Sequence, residues 1–136
     1  MKAITIQTDK APAAIGPYSQ AIATDQLVFV SGQLGLNPLT GTLAGVDITA
    51  QAEQALENMR QILLADGSDL NSVVSVDVFL TDMKNFSTFN GIYQQFFENH
   101  RPARAVVEVS ALPRNACIEI KCIALRSVAA LDRLSV

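Results

Sequence analysis

The chain has 136 residues, 49% of them hydrophobic and 17% charged, with a formal net charge of −3. That length supports one domain with a sizeable core and is short for two. The acidic balance and the lack of a basic run argue against a nucleic-acid binder, which normally carries a positive stripe. No stretch approaches the ~18 apolar residues of a membrane span, and Met1-Lys2 leads into an alternating segment rather than a signal-peptide core. So apolar a composition needs either a large core or a partner that covers apolar surface, and a second copy of the chain is the simplest partner. Cys117 and Cys122 lie in or beside one short strand, a poor geometry for a bridge, so reduced thiols in a cytoplasmic or organelle-matrix setting are expected. With one His and no CxxC or HxxxH pattern, neither a metal site nor a cofactor is expected.

In chain order, Ala3–Gln7 alternates and predicts a first strand. Ala11–Gln20, with two prolines and a glycine, predicts a structured loop in which Gly16-Pro17 fixes the backbone before Tyr18. Tyr18 is either a half-buried plug of that loop or a ligand contact. Leu27–Leu36 is a strand interrupted at Ser31-Gly32-Gln33, where a Gly marks a bulge or a close approach to the backbone. Turn chemistry follows at Asn37-Pro38 and Thr40-Gly41.

Ala52, Ala55, Leu56, Met59, Ile62 and Leu63 recur at helical spacing, with Thr49 or Asp47 as N-cap and Gly67 as a left-handed C-terminal cap. Val73–Leu80 alternates, with Val74, Val76, Val78 and Leu80 assigned to one face. Strand, helix and strand imply a right-handed parallel crossover. A second helix, from about Phe86 to Asn99, carries Phe86, Phe89, Tyr93, Phe96 and Phe97 as a core-packing stripe. Asn90 falls beside the stripe, as a helix–loop tether or a ligand contact. His100 sits where the helix should end and is taken as structural.

The last two strands lie within Pro102–Leu125, joined by a short turn segment. The first places Arg104, Val106 and Glu108 on one face and Ala105, Val107 and Val109 on the other; the second sets Glu119 between Ile118 and Ile120. A guanidinium on a small apolar strand reaches solvent or meets an anion. Arg104 and Glu119, on neighbouring strands, are therefore an ion pair or the two ends of a binding site. Ser127–Val136 is a weakly amphipathic tail. The element order, β, β, a short β, α, β, α, β, β, predicts an α+β fold with a mixed sheet and two helices on one face, the other face needing cover.

Several segments together resemble the reactive intermediate deaminase (Rid, or YjgF) family, and its RidA subgroup in particular. They are Ala11–Gln20, Ser31-Gly32-Gln33 with Asn37-Pro38 and Gly41, Phe89-Asn90 to Tyr93 and Phe96-Phe97, Pro102-Ala103-Arg104, Leu112-Pro113 and Ile118-Glu119-Ile120. The match runs in family order from about Lys10 to Arg126, so residues 1–126 read as one Rid-like domain and 127–136 as an uncovered tail. The resemblance implies a chorismate-mutase-like fold and a cytoplasmic homotrimer with a central barrel and clefts between subunits. It also implies hydrolysis of 2-imino acids and their enamine tautomers to 2-oxo acids and ammonia. Arg104 would bind the substrate carboxylate, Glu119 would orient or activate water, and Tyr18, Ser31, Gly32, Asn90 and Val106 would line the cleft. Position 106, a Cys in many members, is Val here, which excludes a thiol mechanism. The segment from Asn90 to Arg104 is shorter than in some relatives. A non-catalytic trimer binding 2-oxo acids and a ribonuclease or translation inhibitor are the competing classes, the latter disfavoured by charge.

Overall fold

The computed structural model describes residues 3–126. Six strands form one mixed sheet: β1 (Ile4–Ile6), β2 (Ala21–Ala23), β3 (Leu27–Leu34), β4 (Val73–Leu80), β5 (Ala103–Glu108) and β6 (Ile118–Leu125), in spatial order β1-β2-β3-β6-β4-β5. Helices α1 (Ile48–Ala65) and α2 (Phe86–Phe97) pack against each other, and α1 lies over β3 and β6. The α+β class and the two-helix layer agree with the sequence expectation. The tail at 127–136 lies outside the described residues.

The helix reading of α1 holds residue by residue. Ala52, Ala55, Leu56, Met59, Ile62 and Leu63 are all fully buried, and burying a side chain of Leu or Ile size is worth about 1.5–3 kcal/mol. Asp47 is the N-cap, its carboxylate accepting from Ala50 N–H at 2.9 Å. Gly67, at φ 80°, takes the left-handed position after the helix, and the amides of Gly67 and Ser68 return to the carbonyls of Leu64 and Leu63. In α2, Phe89, Tyr93 and Phe97 are buried in the same core as α1, as the aromatic stripe predicted. His100 is structural as expected, its Nε2 2.7 Å from the Val73 carbonyl oxygen.

Three expectations need correction. The extra short strand precedes the long one, as β2; after β3 there is only an isolated bridge, Leu36 to Leu43. Alternation failed at Ala21–Ala23 because three residues, two of them Ala, beside a proline-rich loop give too short a run to read. Second, a register shift in β4 between Val73 and Ser75 sends Val73 into the core and leaves Val74 exposed, because a bulge reverses the alternation on one side of it. Third, β5 and β6 are not neighbours. β4 lies between them, parallel to β5 and antiparallel to β6. A β4–α2–β5 crossover pairs β5 with β4, and the Pro102–Leu125 segment then has to pass over β4 to reach its other edge. Tyr18, left open as a half-buried plug of its loop or a ligand contact, is 52% exposed. The predicted parallel crossover is present, since β3 and β4 are both antiparallel to β6.

Side-chain amides of α1, silent in the hydrophobic pattern, fix the ends of the central strands. Buried Asn58 donates to the carbonyls of Leu34 and Leu36, at 3.1 and 2.9 Å. Buried Gln51 donates to the Gly45 carbonyl and accepts from Cys117 N–H. Gly35 is needed where β3 meets the helix, since a Cβ there would lie 2.4 Å from the Gln51 carbonyl oxygen. Behind them, Arg126 closes a buried bidentate ion pair on Asp66, with contacts of 3.0 and 2.6 Å.

Candidate active site

The sheet has two unlike faces. Ile118, Ile120, Cys122 and Ala124 of β6 are buried under the helices, so Glu119 and Lys121 between them point to the open face. There a cleft of about 740 Å³ opens between β3, β6 and the 11–20 loop, and Tyr18, Ser31, Gly32, Arg114, Glu119 and Lys121 line it. Four residues singled out by sequence, Tyr18, Ser31, Gly32 and Glu119, therefore meet in one place.

Local structure explains how. The 11–20 loop is pinned by buried Gln20, whose amide donates to the carbonyls of Thr8 and Pro12 and accepts from Thr8 N–H. Gly16, at φ 132°, turns the chain so that Tyr18 N–H returns to its carbonyl and the ring stands at the cleft. β3 bulges between Val30 and Gln33, so Ser31-Gly32 is a true bulge. It is also a close approach: a Cβ on Gly32 would lie 2.9 Å from the Glu119 carboxyl carbon and 3.1 Å from its Oε1. Both readings of that glycine were correct. The Ser31 hydroxyl donates to the Ser19 carbonyl at 2.5 Å. Its proton is thus committed to the backbone, and His100, held at Val73, does not reach it.

Glu119 is half-buried, and burial raises its carboxyl above the usual range, with Lys121 opposing the shift. A carboxyl so placed exchanges protons nearer neutral pH than an exposed Glu. The two cysteines are free thiols away from this chemistry; burial pushes Cys122 up to about 12 and also raises Cys117.

Arg104, Val106 and Asn90 are not in this cleft. Val106 packs against the core beneath the helices, and Arg104, two residues earlier, shares that face. Its guanidinium carbon lies over the Tyr93 ring at 4.7 Å, with the Phe89 and Phe86 centroids at 5.8 and 5.9 Å. Asn90 Oδ1, on the same helix, is buried with no hydrogen-bond partner among the described residues, so that oxygen tethers no loop. Arg104 and Glu119 thus stand on opposite faces of the sheet, which excludes the ion pair within one chain. β5 is nevertheless an edge strand, and Arg104 on it is exposed.

Sequence reasoning missed Arg114 and Lys121, two cations in the cleft. Arg114 and Asn115 both have left-handed backbones, at φ 62° and 61°, and Arg114 donates to the Gly41 carbonyl at 2.7 Å. The Pro-Arg-Asn turn after a strand was the available signal. No helix among the described residues is long and apolar enough to cross a membrane.

The family model described as Endoribonuclease L-PSP matches residues 8–126. The chain is 49% identical over 121 residues to a 2-iminobutanoate/2-iminopropanoate deaminase of Mus musculus, covering 89% of this chain and 90% of that one. It is 50% identical over 124 residues to Reactive Intermediate Deaminase A, chloroplastic, of Arabidopsis thaliana, covering 91% of this chain and 66% of that one. A crystal structure of E. coli TdcF with bound serine superposes with a TM-score of 0.87 at 40% identity, covering 91% of this chain and 99% of that one.

Proposed function

This chain belongs to the Endoribonuclease L-PSP family, the Rid/YjgF family that its sequence resembles and RidA-like within it, and from that premise we propose that it hydrolyses 2-imino acids and their enamine tautomers to 2-oxo acids and ammonia. Substrates of the class are 2-aminoacrylate, 2-iminopropanoate and 2-iminobutanoate. The observation that carries the reading is the half-buried Glu119, its carboxyl raised by burial in a cleft shaped by Gly32, in a chain half identical to relatives named for this reaction.

The imine carbon is already electrophilic, so the reaction needs a positioned water and a proton carrier, without a metal or a covalent intermediate. Ionised Glu119 takes a proton from the water as its oxygen bonds to the imine carbon and the C=N electron pair moves onto nitrogen; Glu119 then returns that proton to the nitrogen, giving the neutral carbinolamine. Glu119 next takes the carbinolamine O–H proton and passes it to the nitrogen as the C=O forms and the C–N bond breaks, so the 2-oxo acid is made and ammonia leaves. One water is consumed and the carboxyl is regenerated.

The carboxylate of the substrate calls for a bidentate guanidinium. We assign that role to Arg104, supplied across the boundary by a partner subunit in a cytoplasmic homotrimer with a central barrel, so that each cleft is completed by the edge strand of its neighbour. The exposed apolar side chains of the open face, Phe29, Val107 and Leu125, support such burial between copies. Asn90 and Val106 would then line the cleft from the same side as Arg104, and Tyr18, Ser31 and Gly32 from the side of Glu119. Residues 1–126 act as one domain in this reading, with 127–136 as an appended tail.

Ammonia release from an imine generated in situ by an amino-acid oxidase or dehydratase tests the proposal. Acceleration over the uncatalysed rate supports it. Binding of 2-oxobutanoate without turnover would instead make this a sensing trimer.

A further inference from the structure

The aromatic stripe of α2 has a feature that core packing does not require. Tyr93 is 6% exposed, packed between Phe89 and Phe97 with tilted rings at centroid distances of 5.5 and 4.7 Å. Its hydroxyl is buried and has no hydrogen-bond partner among the described residues. A Phe would fill the same space without burying an unpaired hydroxyl, so the hydroxyl does not anchor the ring; its two aromatic neighbours do. The outer surface of this fixed ring carries the Arg104 guanidinium, 4.7 Å from the centroid, with Phe86 and Phe89 at the flanks.

Among the described residues Arg104 has no carboxylate within ion-pairing distance. A guanidinium can be held by an acid or by an aromatic face, and the two differ in what they leave free. A carboxylate occupies the in-plane N–H fork and neutralises the charge. A ring face holds the cation through its plane, so the N–H donors around its edge stay available to an incoming anion. From this we propose that Tyr93 is a positioning residue for Arg104, its ring fixing the plane of the guanidinium so that the fork is preset for a planar carboxylate. The inference rests on the carboxylate-binding role proposed for Arg104.

The test is a double-mutant cycle with Tyr93→Leu, Arg104→Ala and the pair, together with Tyr93→Phe, read on imine hydrolysis and on 2-oxobutanoate binding by calorimetry. Tyr93→Leu is expected to raise KM about 3- to 30-fold, the range of a partly desolvated cation–π contact, with a smaller change in kcat. Tyr93→Phe, which keeps the ring, should restore most of that loss. In the Arg104→Ala background Tyr93→Leu should have no further effect on KM. An equal effect of Tyr93→Leu with and without Arg104 would overturn the proposal, since the ring would then act on the fold alone; so would an unchanged KM in Tyr93→Leu. If the protein does not hydrolyse imines, the deaminase reading fails while the cycle still decides the positioning role on 2-oxobutanoate binding, and absence of that binding overturns it as well.

Discussion

Arg104 and Glu119 are the two charges that interrupt the last apolar strands, and they lie on opposite faces of one sheet with β4 between their strands. A strand's alternation fixes which face a residue takes but not which chain will come to meet it. The separation makes the proposed site a property of an assembly, and that has a direct consequence for mixed variants.

Arg104→Ala and Glu119→Gln should each be nearly inactive as pure proteins. Unfolded together in equal amounts and refolded, they should recover about a quarter of wild-type activity, because random mixing gives a cleft both wild-type groups with probability one half times one half. Assay of the remixed sample against each parent checks this. A site built within one chain would show no recovery.

Burial raises the Glu119 carboxyl, so the folded state favours its protonated form. Its stabilising contribution is fully present below the unfolded pKa and is lost as pH rises through the higher folded value. Glu119→Gln should therefore melt at a higher temperature than wild type at neutral pH, with the gap closing in acid. The base must be ionised to act, so the acid limb of the kcat/KM profile should lie above the ordinary Glu range and vanish in the variant. Turnover should drop about 10²–10⁴-fold while 2-oxobutanoate binding persists. Thermal melts and a pH–rate series measure both.

Gly32→Ala places a methyl 2.9 Å from the Glu119 carboxyl carbon. The carboxyl ends a flexible side chain and can move aside, so the melting temperature should change little. A displacement of about 1 Å at a reacting group costs about 10²-fold in rate, and kcat should fall accordingly with KM less affected. Steady-state kinetics beside a thermal melt separates the two effects.

Asp66→Asn leaves Arg126 buried against a neutral amide. Removing one partner of a buried pair costs about 3–5 kcal/mol, here at a site whose side chains are only 3–4% exposed. Urea unfolding should show that loss, with KM unchanged because the pair stands apart from the cleft.

Much of this protein was decided by local rules that a sequence carries openly. The α1 face, its Asp47 cap and Gly67 stop, the aromatic stripe of α2 and the bulge at Ser31-Gly32 follow from periodicity, capping and glycine geometry, all of which act within a few residues. The α+β class followed from their order. The β4 bulge and the strand order were not legible in that way. Val73 rather than Val74 entered the core because of one inserted residue, and β5 went to the edge because its parallel pairing with β4 competes with a direct pairing to β6. The buried amides Gln20, Gln51 and Asn58 gave no apolar signal, since their place is set by backbone N–H and carbonyl groups 6 to 66 residues away. The site divided along the same line. Tyr18, Ser31, Gly32 and Glu119 were each recognisable alone, but only the tertiary structure gathered them on the open face and left Arg104 over Tyr93 on the other. The cause is physical: alternation is a property of one strand, whereas a cleft belongs to the register and order of several.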